Sequence, residues 1–433
     1  MTYEESLDYL ASLNTFGINL GLVRIEKLLE LMDHPERKFK TIHVAGTNGK
    51  GSTTAMLAAI LTASGIKTGM YTSPHLSEYT ERMTVNGKEI APEEFGEAIA
   101  YTSKFMDTIV TYGFGHPTEF EVLTAAAFHY FATCGVEYAV IEVGLGGLLD
   151  STNVIVPEIS VITNVTLDHT DKCGSTVGEI AHHKSGIIKQ GIPVVTAARG
   201  EALRVIRERA QEKSAVCYEY GQHFSGKFLE LAEHRQRVLV EVAKQEKAGI
   251  FAVNLLGRHQ VENCAVAVMA ARILGKKERR IDIYAIEKGL MQVQWPGRFE
   301  VIPGQPTMII DGAHNPDGVR VLRENLDEFF EDREIVFLLG ILQDKDVKTM
   351  VATLVHPKNK VVVVAPLSER AGEPEAVACQ IQAEHVETAS SIDEGLTRAA
   401  LLTGKEGILC IAGSLYLIGA ARKIIVGRQM VFS

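Results

Sequence analysis

The stretch TIHVAGTNGKGSTTAMLAAILTASG, Thr41 to Gly65, constrains this chain more than any other. It reads as a buried strand, a glycine loop and a helix in immediate succession. Val and Ile suit the strand, and Gly65 is a natural stop for the helix. A loop in that position turns backbone N–H groups toward an anion, and the helix behind it presents the favourable end of its dipole. The phosphate-loop pattern GxxxxGK[ST] is met only in part. Registered on Gly49-Lys50, its first glycine falls on Val44, and the place of the metal-holding hydroxyl is Gly51. Gly46, Thr47, Asn48, Gly49, Lys50, Gly51 and Ser52 are the candidate phosphate contacts, with Lys50 as the point charge for the β and γ phosphates. The ordinary alternative is a glycine-rich turn carrying an incidental lysine. Strand, loop and helix in sequence weigh against it.

The rest of the chain repeats the same rhythm. KTGMYT (67–72), YAVIEVG (138–144), ISVITNV (159–165) and IPVVTA (192–197) read as further strands of a parallel sheet covered on both faces. Residues 216–255 differ: VLVEVAK and GIFAVNLLG predict a small β excursion. In the second half TMIIDGA (307–313), EIVFLLG (334–340), KVVVVAP (360–366) and GILCIAG (407–413) again read as parallel strands. QWPGRF, Gln294 to Phe299, fits neither period and carries a Pro-Gly pair, so a boundary is expected near residue 297. The predicted class is α/β, with a P-loop-type parallel-sheet domain over 1–296 and a smaller α/β domain over 297–433.

A length of 433 residues agrees with two domains. No apolar run reaches the ~20 residues of a membrane helix, and the acidic N-terminus shows no secretory signal. Six cysteines without a CxxC pair are expected as free thiols in a reducing cytoplasm. A net charge of −10 argues against nucleic acid as a partner but leaves room for a locally positive site.

Residues at the ends of predicted strands gather around one crevice in an open parallel sheet. Glu142 ends VIE, Ser73 follows the second strand, and Asp168 and His169 follow ISVITNV. Each has a plain structural reading alone. Together with a phosphate loop, Ser73, Glu142 and His169 form a reasonable ligand set for phosphate-bound Mg2+, and they would replace the hydroxyl missing at Gly51. DKCG, Asp171 to Gly174, matches a GTPase DxxG, but no NKxD follows, and it is read as chance.

Seven motifs then occur in order: GTNGKGS, TSPHLSEYTERM, EVGLGGLLDSTNV, LDHTD…GSTVGEIAHHKSGI, GRHQVENCAVA, WPGRFE and DGAHNP. In this the chain resembles the folylpolyglutamate synthase/dihydrofolate synthase family, relatives of the Mur ligases, over nearly its whole length. The resemblance implies a P-loop domain followed by a Rossmann-like domain that closes over ATP and glutamate. It implies an ATP-dependent amide ligase that phosphorylates a folate or dihydropteroate carboxylate and couples the acyl phosphate to L-glutamate. ATP and Mg2+ are the implied cofactors, and a monomer is expected.

By the same resemblance Ser73, Glu142, His169 and Lys184 face the metal. Lys184 is the lysine that these ligases carbamylate. Asn263, Arg298 and Asp311 lie on the nucleotide side, and Lys50, Lys184 and His314 serve catalysis. Arg82, Thr118, Phe120 and Asp150 face the folate. Without the family, Lys184 would be read as a solvated charge at the end of a helix capped by Thr176 and Glu179 and stopped by Gly186. The chain departs from the family pattern at Leu148, where arginine is common, and at Cys173. A Mur-type ligase acting on a nucleotide-linked cell-wall precursor is the second enzyme reading, and PTEFE and TSPHL speak against it. A nucleotide-regulated binding protein is the third, and it would need neither DGAHNP nor a metal cluster.

Overall fold

The computed structural model describes the chain except residues 18, 169, 233–234, 244–247, 332 and 433, and the side chains of 14, 170, 171 and 428–432. It divides into two compact units. The first comprises Met1–His75, Tyr79–Asn254 and Arg258–Gln294, and the second Leu76–Glu78, Leu255–Gly257 and Trp295–Ser433.

The first unit is built on strands β1 (Lys40–Ala45), β2 (Thr68–Tyr71), β3 (Met83–Val85), β4 (Lys88–Glu89), β5 (Tyr138–Glu142), β6 (Ile159–Ile162), β7 (Val194–Thr196) and β8 (Cys217–Glu219). Their order in the sheet is β4-β3-β2-β5-β1-β6-β7-β8. From β2 to β8 the neighbours run parallel, and β3 and β4 add an antiparallel edge. Central strands are buried along their length because helices cover both faces. β1 lies at the centre between β5 and β6, which the chain reaches on opposite sides. That is the switch point at which the carboxyl ends of an open sheet leave a crevice.

The helix Lys50–Ala63 follows the loop after β1 and is buried on nearly every side. It packs against the helices Arg258–Gly275 and Ile283–Gln292. The β excursion is a three-stranded antiparallel sheet of β9 (Phe224–Ala232), β10 (Arg235–Val242) and β11 (Gly249–Val253). β9 was not legible in the sequence because Leu229 and Leu231 are exposed alongside Lys227 and Glu230, which blurs the alternation of apolar and polar faces.

The second unit carries β12 (Glu300–Ile302), β13 (Thr307–Ile310), β14 (Ile335–Leu339), β15 (Lys360–Val363), β16 (His385–Thr388) and β17 (Ile408–Ala412), in the order β12-β13-β17-β14-β15-β16. Only β12 is antiparallel to its neighbour. Two apolar clusters, one around Phe337 and Val361 and one around Leu338 and Val362, flank this sheet. No helix among the described residues is long and apolar enough to cross a membrane.

Candidate active site

The loop after β1 is shaped from outside as much as by its own glycines. Thr47 N–H donates to Asn164 O at 2.8 Å, and Asn48 N–H to Asn164 Oδ1 at 2.9 Å. Thr163 Oγ1 donates to Asn48 O at 2.7 Å. The segment after β6 is thus the outer wall of the phosphate loop, which the sequence alone did not reveal. Gly49 adopts φ +82°, and a Cβ there would collide with Asn263 Oδ1. Asn263 is buried and donates through Nδ2 to Gln260 Oε1 at 3.0 Å, and Gln260 Nε2 donates to Ser52 Oγ at 3.1 Å. Asn263 is therefore a support of the loop rather than a surface amide. Behind the loop, the first-turn N–H groups of Lys50, Gly51 and Ser52 have no acceptor within their own helix. Gly49→Ala is expected to cost roughly 1–3 kcal/mol, the scale of a left-handed non-glycine residue, and to weaken nucleotide binding. A denaturant melt and a nucleotide titration both matching wild type would remove the constraint.

Two lysines converge on one carbonyl at this loop. Lys50 Nζ donates to Gly46 O at 3.1 Å and to Thr47 O at 3.2 Å. Lys184 Nζ donates to the same Gly46 O at 2.9 Å. Lys184 is only 4 % exposed, so it is not the solvated charge that its place in the helix Val177–Ser185 would predict. Burial, reinforced by the Lys50 charge, pulls its amine down to about 8. The expected capping box of Thr176 and Glu179 is present. Gly186, expected as the helix stop, is its C-cap, in right-handed conformation at φ −59°. Its lack of a side chain admits Leu148, whose Cα a Cβ would strike. Leu148 N–H donates to His183 O at 2.7 Å, and Asn153 Nδ2 ties Leu148 O to Gly186 O. The GLGG loop is thereby fastened to the turn that carries Lys184.

Glu142 ends β5 with a buried carboxylate. It pairs in register with Val44, two residues before Gly46, and Ser73 N–H donates to its Oε2 at 3.4 Å. Glu142, Ser73 and the loop thus emerge at the carboxyl ends of neighbouring strands. Among the described residues no three His, Cys, Asp or Glu side chains cluster as a metal cage; His169 lies outside the described residues. A buried carboxylate with a nearby hydroxyl beside a phosphate loop nonetheless suits Mg2+. That ion takes hard oxygen donors and is commonly held by one or two carboxylates with substrate phosphates and water.

The four residues expected on the folate side are also placed in the first unit. Thr118 caps the helix Glu119–Thr133 in a full capping box with Glu121. Glu121 Oε2 gathers Thr118 N–H at 2.7 Å, Thr118 Oγ1 at 3.0 Å and Arg24 Nε at 3.1 Å. Neither this cap nor Arg24 was read from PTEFE, which entered only through the family resemblance. Phe120 lies over the Gly144 backbone and stacks on Tyr71 with centroids 6.2 Å apart. Arg82 stands at the end of the helical turn Tyr79–Arg82. Asp150 is buried, and its carboxylate already accepts from Leu145 N–H at 2.7 Å, Thr152 N–H at 3.0 Å and Thr152 Oγ1. Burial raises its pKa, and these bonds oppose the rise. Asp150 first of all organises its own loop, from Leu145 to Thr152.

In the second unit Arg298, Asp311 and His314 come together after β13. Asp311 accepts from Phe299 N–H and Ala313 N–H, both at 2.8 Å. Burial pushes its carboxyl up, and Arg298 pulls it back. His314 Nδ1 lies 2.7 Å from Gly312 O, so Nδ1 carries the proton in that bond.

Residues 44–271 match the Mur ligase middle domain, and residues 297–415 the Mur ligase glutamate ligase domain. A dihydrofolate synthase/folylpolyglutamate synthase of Bacillus subtilis is 34 % identical over 97 % of this chain and 98 % of its own. The chain belongs to the folylpolyglutamate synthase/dihydrofolate synthase family. The family's solved structures agree. Folylpolyglutamate synthase from Thermotoga maritima superposes with a TM-score of 0.86 at 33 % identity, covering 98 % of this chain and 96 % of that one. The Mycobacterium tuberculosis folylpolyglutamate synthase complexed with ADP gives 0.85 at 31 %, covering 98 % of each. As a member of the family, the chain is an ATP-dependent ligase.

Proposed function

We propose that this ligase joins the amino group of L-glutamate to a carboxylate of a folate or of dihydropteroate. A carboxylate oxygen attacks the γ phosphorus of ATP, the bond to ADP breaks, and an acyl phosphate forms. The glutamate nitrogen then attacks the acyl carbon, phosphate leaves with the C–O bond pair, and the amine proton is released. The observation that carries this reading is the pair of lysines on Gly46 O, within a loop that offers helix N–H groups to an anion. Two polyanions meet in the first step, and Lys50 offsets their repulsion at the phosphates.

Magnesium, when bound, would neutralise phosphate charge and polarise the transferred group; Glu142, Ser73, His169 and a carbamylated Lys184 are the residues assigned to hold it. Carbamylation joins carbon dioxide to a neutral amine with loss of a proton, and the lowered Lys184 pKa favours it. Thr118 and Phe120 are assigned to the pterin, with Asp150 acting through its own loop. Arg298, Asp311 and His314 are assigned to the nucleotide and the transferring phosphate. A cytoplasmic location fits six free cysteines, and the protein is assigned as a monomer.

Incubation with ATP, L-glutamate and either dihydropteroate or a reduced folate should give one new glutamyl residue per ADP, read by mass. ATP turnover indifferent to glutamate would defeat the reading. Arg298→Ala is expected to raise the KM for ATP by roughly tenfold, the loss of one charge-assisted contact. A variant altered in melting temperature but not in kinetics would make Arg298 a structural charge of its own unit.

A further inference from the structure

Arg82 is held more tightly than a surface arginine. Its Nε–H donates to His75 Nδ1 at 2.9 Å. Its guanidinium carbon lies 5.0 Å from the centre of the Tyr79 ring. His75 stacks on the same ring at 4.3 Å between centroids, and the Tyr79 hydroxyl donates to Glu119 Oε1 at 2.8 Å. Because His75 Nδ1 accepts, the proton of the neutral ring is on Nε2. Arg82 has thus spent one edge on His75 and one face on Tyr79. Its two Nη groups meet no acceptor among the described residues. A guanidinium fixed in this way is a fork already aimed, and its natural occupant is a carboxylate bound through both oxygens.

The surroundings say which carboxylate. The main-chain carbonyl of Arg82 accepts from Thr72 N–H at 3.0 Å, next to Ser73. Tyr71, which carries Phe120 on its ring, is close enough to Arg82 and Asp150 to feel both charges. Arg82 is therefore rooted between Ser73, on the phosphate side, and the Tyr71–Phe120 pair assigned to the pterin side. The carboxylate that attacks phosphorus needs its lone pairs. A bidentate fork would draw density from both of its oxygens, so it suits a carboxylate that does not react. Dihydropteroate has only the reacting carboxylate, whereas a folate ending in glutamate has a second.

We propose that Arg82 is the specificity residue for the glutamyl tail, binding the non-reacting carboxylate of the terminal glutamate, and that His75 and Tyr79 are positioning residues that aim it. This rests on the folate reading above. The test compares two ligands, a reduced folate monoglutamate and the same molecule with its non-reacting carboxylate converted to a carboxamide. Binding is titrated in the presence of a non-hydrolysable ATP analogue. Wild type should prefer the acid by roughly ten- to hundredfold, and Arg82→Gln should bind both alike. His75→Ala should lose part of the preference, and His75→Asn, whose side-chain oxygen replaces the Nδ1 acceptor, should recover it. If Arg82→Gln does not fold, the two His75 variants carry the comparison. Equal losses for both ligands in the variants, or a preference unchanged in all of them, would overturn the proposal. Wild-type protein that binds neither ligand would instead defeat the folate reading.

Discussion

Lys184→Ala is expected to lower kcat by about 10²–10³-fold, the scale on which one lost transition-state electrostatic contact is felt, with the melting temperature held or raised. A lysine at its ordinary pKa of ~10.4 is almost wholly protonated at pH 7 and inert toward carbon dioxide. Burial and the Lys50 charge bring Lys184 down to about 8, so roughly a tenth is neutral at pH 7. Carbamate formation then replaces a second cation beside Lys50 with an anion, and the remaining N–H can still donate to Gly46 O. The pH dependence has a defined sign. In solutions poor in carbon dioxide, activity should fall as the pH drops below 8, because the neutral amine is depleted. Added bicarbonate should restore it. A short carboxylic acid should partly rescue Lys184→Ala by supplying the missing anion. Isotope-labelled bicarbonate should give a carbamate signal in wild type that the variant lacks. A variant with near-normal turnover, or one that no carboxylic acid rescues while wild type shows no carbamate, would remove Lys184 from the chemistry.

This lysine also shows where the sequence was legible and where it was not. The strand–loop–helix unit at Thr41–Gly65 could be read locally, because its signals are a β-branched run, clustered glycines and a helix stop, all contiguous. The capping box at Thr176–Glu179 was legible for the same reason. Burial of Lys184 was not. It arises from the GLGG loop and from Gly46, more than thirty and more than one hundred residues away in the chain. Local reasoning gives a solvated charge at a helix end, and only the family resemblance pointed elsewhere. The wall of Thr163 and Asn164 and the Gln260–Ser52 bond were missed similarly, since polar residues that brace a loop across a sheet have no periodicity. Gly186 was legible as a helix stop, whereas its close packing on Leu148 was not. Sequence carries the elements and their caps, while the contacts that tune a side chain's charge are made in the tertiary structure.

Glu142→Gln should separate catalysis from folding most cleanly, because the two effects have opposite signs. Glu142 is a buried carboxylate at the end of a central strand, and burial of a charge is costly in the absence of a compensating cation. Glutamine keeps the shape, still offers an oxygen to Ser73 N–H and removes the charge. The metal-free variant should therefore melt at the wild-type temperature or above it. Its kcat should fall by about 10²–10³-fold, and the magnesium concentration for half-maximal rate should rise, because a neutral amide oxygen is a poorer ligand for a hard dication than a carboxylate. A carboxylate that merely bridges the GLGG loop would give the reverse pattern, with a lower melting temperature and a magnesium requirement that does not move. Measuring the melt without metal and the rate across a magnesium series decides between them. A stable variant with wild-type turnover at low magnesium would exclude Glu142 from the metal site and leave the hydroxyl missing at Gly51 without a replacement from β5.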